Sequence, residues 1–228
     1  MKAAKRDGFA SRRVTTNQVG IHPELEAIVR KHRTSEFLKP ISRHTLEAFE
    51  QVRSRLELLQ RPLILDSGCG KGESTIRLAQ EFCDHVVVGL DKSLHRLLKN
   101  PYFGRDHPEN LLLLRADIFD FWRLCARHGQ IVQRHYIFYP NPWPKKRHVK
   151  RRIHGHPAFP DLLRISRYLE VRSNWKLYLE EFAQAVFWIT GLRFQVQSLD
   201  IEEPITSFER KYLWSGHELF RLEILLPP

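Results

Sequence analysis

Leu63-Ile64-Leu65-Asp66-Ser67-Gly68-Cys69-Gly70-Lys71-Gly72 is an aliphatic run that ends in an acid and opens into a turn of alternate glycines. The run suits a buried strand, and the glycines permit a tight turn and close approach of a ligand to the backbone. Behind the turn, Thr75, Leu78, Ala79 and Phe82 recur at three- and four-residue steps, which predicts a helix over residues 73–82. Strand, glycine turn and helix together are one unit of an α/β fold. Further along, residues 86–90 form a second strand candidate without a polar interruption, as in a parallel sheet covered on both faces. Residues 111–114, 135–139 and 168–171 predict three more strands. A helix over 174–189 follows, and then two last strands over 194–199 and 218–225. The alternation predicts a mostly parallel sheet of seven strands flanked by helices. Upstream, Leu46, Phe49, Val52, Leu56 and Leu59 mark one face of a helix that begins after Ser42 and stops before Pro62.

The chain has 228 residues, which suits one large domain, here residues 42–228. Residues 1–41 carry scattered Lys and Arg without a sustained period and read as a basic N-terminal arm, mobile at least at its start. No apolar run reaches the roughly 18 residues needed to cross a bilayer. The opening MKAAKRDGFASRR lacks the apolar segment of a secretory signal. Cys69, Cys83 and Cys125 are widely spaced without a CxxC pair, which argues against a disulfide framework or a cysteine-rich metal site and points to a reducing, cytoplasmic setting. A monomer or a homodimer is expected. The formal charge of +11 favours a polyanionic partner.

Ligands on such sheets bind beyond the carboxyl ends of the strands. Asp66 ends the first strand, Asp91 the second, and Asp117 follows the third. The turn, Gly68, Gly70 and Gly72, is GxGxG. It is neither the GxGxxG of a dinucleotide site nor a P-loop. Three acids beside one glycine turn fit a ligand with ribose hydroxyls, an adenine amino group and a cationic centre, so S-adenosylmethionine is the expected cofactor. The competing reading has Asp66 and Asp91 capping helices and the glycines merely making a turn. No metal site is expected, and His154 and His156 read as surface histidines.

After the fourth strand comes Tyr139-Pro140-Asn141-Pro142-Trp143-Pro144, a stiff loop that fixes the directions of Asn141 and Trp143. Lys145, Lys146, Arg147, Lys150, Arg151 and Arg152 follow, with His148 among them and no acid. A charge run is usually a solvated surface. Beside a ligand loop it is also where an RNA backbone would be gripped.

The block NPWPKKRHVKRR, residues 141–152, with Thr206-Ser207-Phe208-Glu209 and Gly216 near the C-terminus, resembles the bacterial TrmB family of tRNA (guanine-N7)-methyltransferases. The likeness covers roughly residues 60–225. It implies a Rossmann-like fold and transfer of a methyl group from S-adenosylmethionine to N7 of a guanosine in the tRNA variable loop. It further implies cofactor contacts from Asp66, Asp91 and Asp117, catalytic roles at Asn141, His148 and Arg151, and substrate contacts from Lys145, Asn174, Thr206, Phe208 and Glu209. Two positions depart from the pattern. Asn141 stands for the family's Asp in the proline loop, and Ser173-Asn174-Trp175 for its Thr-Asp-Trp. Both remove a carboxylate from the implied guanine pocket. Losing a charge-assisted hydrogen bond costs about 1.5–3 kcal/mol, so a slower enzyme is expected. Methylation of a different RNA base, and tRNA binding without turnover, remain open alternatives.

Overall fold

The computed structural model describes residues 11–104 and 107–227. Two helices come first, α1 (Leu25–Thr34) and α2 (Arg43–Leu59). The sheet then alternates with helices: β1 (Leu63–Ser67), α3 (Glu73–Glu81), β2 (Val86–Asp91), α4 (Leu94–Leu97), β3 (Leu111–Arg115), α5 (Ile118–Arg127) and β4 (Val132–Phe138). Two 3-10 turns, Lys146–Arg151 and Ile153–Gly155, lead to α6 (Phe159–Ile165), β5 (Ser166–Ser173), α7 (Lys176–Thr190), β6 (Val196–Ser198), α8 (Ser207–Trp214) and β7 (Phe220–Leu225).

The seven strands lie in the order β3-β2-β1-β4-β5-β7-β6. The first five are mutually parallel, whereas β7 runs antiparallel to both β5 and β6. Every residue of β1 and β2 is buried, as continuous aliphatic strands require when helices cover both faces. Side chains alternate between two apolar clusters. Leu63, Leu65, Val86 and Val88 join the cluster beneath α1, α2, α5, α6 and α7, while Ile64, Val87, Leu111 and Tyr136 join the one beneath α3 and α8. Gly89 admits this packing. A Cβ there would run into Thr75 of α3 and come within 2.8 Å of Leu113.

All seven expected strands are present. Five helices were not expected, two of them the short α4 and α6. Helix α5 escapes periodicity because Phe121, Trp122, Leu124 and Cys125 bury it almost all round. Helix α8 begins at the Thr206 side chain, which accepts from Glu209 N at 3.0 Å. Helix α1 lies in the expected arm. Of that arm, residues 11–41 are described, and they pack on the body through Leu25, Ile28 and Val29. Residues 1–10 lie outside the described residues. Among the described residues no helix is long and apolar enough to cross a membrane, and no cluster of metal-ligating side chains occurs.

Candidate active site

Because β1, β2, β4 and β5 are parallel neighbours, their carboxyl ends share one edge. The glycine turn after β1 therefore lies next to the proline loop after β4, which lies next to Ser173 and Asn174 after β5.

Gly68 and Gly70 have φ of +83° and +63°, and a Cβ on either would enter open space, so the turn leaves room on its outer side. Asp66 lies beneath it. Its Oδ2 accepts from Ser74 Oγ at 2.6 Å and Thr75 Oγ1 at 2.7 Å, and burial raises its pKa to about 6. Asp91 holds the turn from the side: Oδ2 accepts from Gly70 N at 3.0 Å and Arg96 Nη1 at 3.1 Å, and Oδ1 from Ser93 N at 2.7 Å. Asp117 is the N-cap of α5, accepting from Phe119 N at 3.0 Å, with Lys39 Nζ 3.7 Å from its other oxygen. Asp117 thus caps α5, Asp91 braces the glycine turn, and Asp66 ties the end of β1 to the first turn of α3. Burial, with Asp66 and Asp91 nearby, pushes the Cys69 thiol well up, so it fills space and stays protonated.

The proline loop is wound with Tyr139 at φ +53° and Trp143 at φ +45°, a region that costs a residue with a Cβ about 1–3 kcal/mol. Three groups hold it there. Asn141 Oδ1 accepts from Trp143 N at 3.2 Å. Tyr139 Oη donates to Glu209 Oε1 at 2.9 Å. The Arg152 guanidinium donates to the Trp143 carbonyl at 3.2 and 3.3 Å. On the outer side, Arg151 lies 4.9 Å over the Trp143 ring, and His148 meets that ring edge-on at 5.5 Å. Partial burial, then Arg151, Arg147, Lys145 and Arg152, keeps the His148 pKa below the usual imidazole value, so the ring is neutral near pH 7. Lys145, Lys146, Arg147, Lys150 and Arg151 are exposed.

Thr206-Ser207-Phe208-Glu209 is a capping device. Thr206 closes the first turn of α8, and Glu209 Oε2 accepts from Ile205 N at 2.8 Å, one residue before the cap. Glu209 is fully buried and also accepts from Arg172 Nη1 at 2.8 Å, so every contact it makes is to protein. Phe208, by contrast, is nearly half exposed on α8. Asn174 Nδ2 pairs with His217 Nδ1 at 2.9 Å.

Sequence reasoning missed the group that ties these parts together. Glu181 of α7 is fully buried. Its Oε1 accepts from Gln18 Nε2 at 2.6 Å and His22 N at 2.8 Å, and its Oε2 from Arg152 and, at 3.1 Å, His154 Nε2. His154 is therefore a buried partner of Glu181, and His156 stacks on Phe119 at 3.6 Å. Neither is a surface histidine: His154 is fully buried against Tyr178 and Phe182 of α7, and His156 is half-buried against Phe119 of α5. The signal was present: a lone acid among Tyr178, Phe182 and Ala185 on the apolar face of a helix calls for a buried partner.

A family model described as "Putative methyltransferase" matches residues 60–222, well over half of the chain. The chain belongs to this methyltransferase family. Curated relatives include the tRNA (guanine-N(7)-)-methyltransferase of Treponema pallidum, 30% identical over 168 residues, covering 70% of this chain and 66% of that protein. The enzyme of the same name from Aquifex aeolicus is 26% identical over 180 residues, covering 76% of this chain and 59% of that protein. The chain thus spans somewhat under two thirds of these relatives' length. Among solved structures, an antibiotic-related methyltransferase superimposes with a TM-score of 0.57 at 16% identity, covering 86% of this chain and 98% of its own. The 16S rRNA methyltransferase KamB gives 0.57 at 20% identity, with 85% and 97% covered. At these identities the likeness establishes the methyltransferase fold.

Proposed function

We propose that the chain is a cytoplasmic, S-adenosylmethionine-dependent tRNA methyltransferase that modifies N7 of a guanosine in the variable loop. The observation that carries this reading is adjacency: a glycine turn braced by Asp91 lies beside a rigid loop that continues into five exposed cations, on one edge of a methyltransferase sheet. The names of the relatives supply the tRNA and the guanine N7. Three free cysteines agree with a reducing compartment.

The residues present fit the cofactor, since the open side of Gly68 and Gly70 leaves room for it and Asp91 stands at the end of β2 with an exposed partner, Arg96, that can yield. When bound, S-adenosylmethionine supplies an electrophilic methyl group on a sulfonium. Asp91 would accept from its ribose hydroxyls, the backbone around Asp117 would face the adenine, and Asp66 would hold the turn from below.

Guanine N7 carries a lone pair and no proton, so no side chain has to act as a base and orientation does most of the catalysis. A neutral His148 fits that requirement. Lys145, Lys146, Arg147 and Arg151 would hold phosphates, which position the nucleotide without reading it. Asn141 and Asn174 offer carbonyl oxygens to the donors of the guanine edge but no charge to offset the purine as it becomes cationic. An amide between prolines at a strand end also suits acceptance from an exocyclic amine, and for that reason methylation of another base is the second reading.

The test is incubation with labelled S-adenosylmethionine and unmodified tRNA, followed by digestion to nucleosides. 7-Methylguanosine is the expected product, and another methylated nucleoside would establish the second reading. Cofactor binding without label would identify a tRNA-binding paralogue, and no affinity for the cofactor or its demethylated product would overturn the proposal.

A further inference from the structure

The loop after β5 and the turn after α8 meet the N-terminal segment in a three-part relay. Asn174 Nδ2 lies 2.9 Å from Nδ1 of His217, and Nε2 of the same ring lies 3.0 Å from the carbonyl oxygen of Ser11. A carbonyl oxygen only accepts, so Nε2 carries the proton. In the neutral ring the other nitrogen is a lone pair, and the only end of the Asn174 amide that can face a lone pair is its NH2.

The ring is not free to turn. His217 is 8% exposed, stacks on Tyr212 with ring centroids 5.2 Å apart and planes 19° from parallel, and donates its backbone N–H to Tyr212 O at 3.0 Å. Ser11 is fixed on its other side, since its N–H donates to Ser215 Oγ at 2.8 Å. Arg13 adds a hydrogen bond to Gly216 O at 3.2 Å. The amide of Asn174 is therefore turned with its oxygen away from His217, in a half-buried residue at the strand end next to the proline loop.

We propose that His217 is a positioning residue that makes Asn174 present its carbonyl oxygen, and not its amino group, to the target base. The inference rests on the methyltransferase reading and deepens it to base selection. The Watson–Crick edge of guanine carries two adjacent donors, N1–H and the exocyclic amine, which an oxygen accepts and an NH2 opposes. A carboxylate at position 174 would offer two equivalent acceptors and need no orienting partner. An amide has one wrong end, and the relay from Ser11 through His217 decides which end faces the base.

Two measurements test this. Long-range 1H–15N spectra of the labelled protein, with the His217 signals assigned by their loss in His217→Gln, are expected to show a protonated Nε2 and an unprotonated Nδ1. The opposite tautomer overturns the proposal whatever the turnover, and so separates its failure from that of the methyltransferase reading, in which the parent itself would transfer no methyl group. The second measurement is single-turnover methylation of tRNA. His217→Phe keeps the stacked ring and removes both nitrogens, and it should lower kcat/KM about three- to tenfold, the worth of one hydrogen bond. His217→Gln, which again offers one acceptor and one donor, should retain most of the parent rate. In an Asn174→Asp background the loss caused by His217→Phe should shrink below about twofold, because either carboxylate oxygen accepts. Equal losses in the two backgrounds would mean that His217 only supports the packing, and would refute the assignment.

Discussion

Replacing Glu181 by Gln removes one charge from the buried junction of α7, the basic run and the N-terminal segment. Burial alone would raise the Glu181 carboxyl, but the His154 hydrogen bond and charge, the Arg152 charge and the His22 N–H outweigh it and hold its pKa at about 2, against an ordinary 4.5. At about 1.4 kcal/mol per unit, that difference is worth roughly 3 kcal/mol. The pKa is depressed, so this stabilisation is complete above the unfolded-state value near 4.5 and is lost as the pH falls toward 2. A second route gives a similar figure. The variant leaves Arg152, which is fully buried, as an uncompensated charge, and breaking a buried pair costs about 3–5 kcal/mol. Urea unfolding at pH 7 should then show Glu181→Gln less stable by about 3–5 kcal/mol with an unchanged m value, and a melting temperature lower by roughly 6–20 °C. Below pH 4 the gap to the parent should narrow. Glu181→Leu combined with Arg152→Met should regain most of the stability, since apolar replacements of buried pairs are often neutral. That double variant still lacks the donor to the Trp143 carbonyl and should methylate tRNA poorly. A loss below about 1 kcal/mol for Glu181→Gln at pH 7 would refute the reasoning, and with it the idea that this junction holds the proline loop.

Three further outcomes follow from the site. Asn141→Asp keeps the acceptor that Trp143 N uses and adds an anionic oxygen, so single-turnover methylation should rise about ten- to a hundredfold, and an unchanged rate would place the guanine contact elsewhere. Asp66→Asn should stabilise the protein at high pH. With the folded pKa raised to about 6, ionisation costs nothing below pH 4, grows between 4 and 6, and amounts to about 3 kcal/mol above that, which urea unfolding at pH 4 and pH 8 would measure. Changing Lys146 and Arg147 together to Ala should weaken tRNA binding evenly across tRNAs and flatten the dependence of log affinity on log salt by about two units, as read by filter binding between roughly 50 and 200 mM salt.

The centre of the sheet was legible because β1, β2 and β3 are short aliphatic runs separated by glycines, prolines and acids, a pattern that covered parallel strands produce. Helix α5 was hidden by the opposite circumstance. Asp120 and Arg123 are buried as a pair at 3.1 Å, so a polar residue there does not mark an outward face. Helix α1 offers only Leu25, Ile28 and Val29 within a stretch dense in cations. In the site, the acids at the strand ends could be placed from spacing, but their hydrogen bonds could not: whether Asp117 faces a ligand or caps α5 depends on backbone geometry one residue away. Glu181 shows in the sequence as a buried acid, but its partners Gln18 and Arg152, and the Ser11 partner of His217, lie far away in the chain and meet them only after the sheet is built.

The contacts of residues 11–22 set an order of events during synthesis. Ser11 bonds to Ser215 and His217, more than two hundred residues later, and Gln18 and His22 bond to Glu181. At about 5–20 residues per second, the ribosome needs roughly 10–40 s after making Ser11 to deliver its partners. During that interval the glycine turn can close against Leu90 and Asp91, and Gln18 and His22 can dock as soon as Glu181 has been made, whereas Ser11 still lacks its partners. Ser11 can therefore join the body only once the turn after α8 has been made, and a nascent chain halted before α8 would carry the glycine turn, the proline loop and the basic run without Thr206–Glu209 and His217.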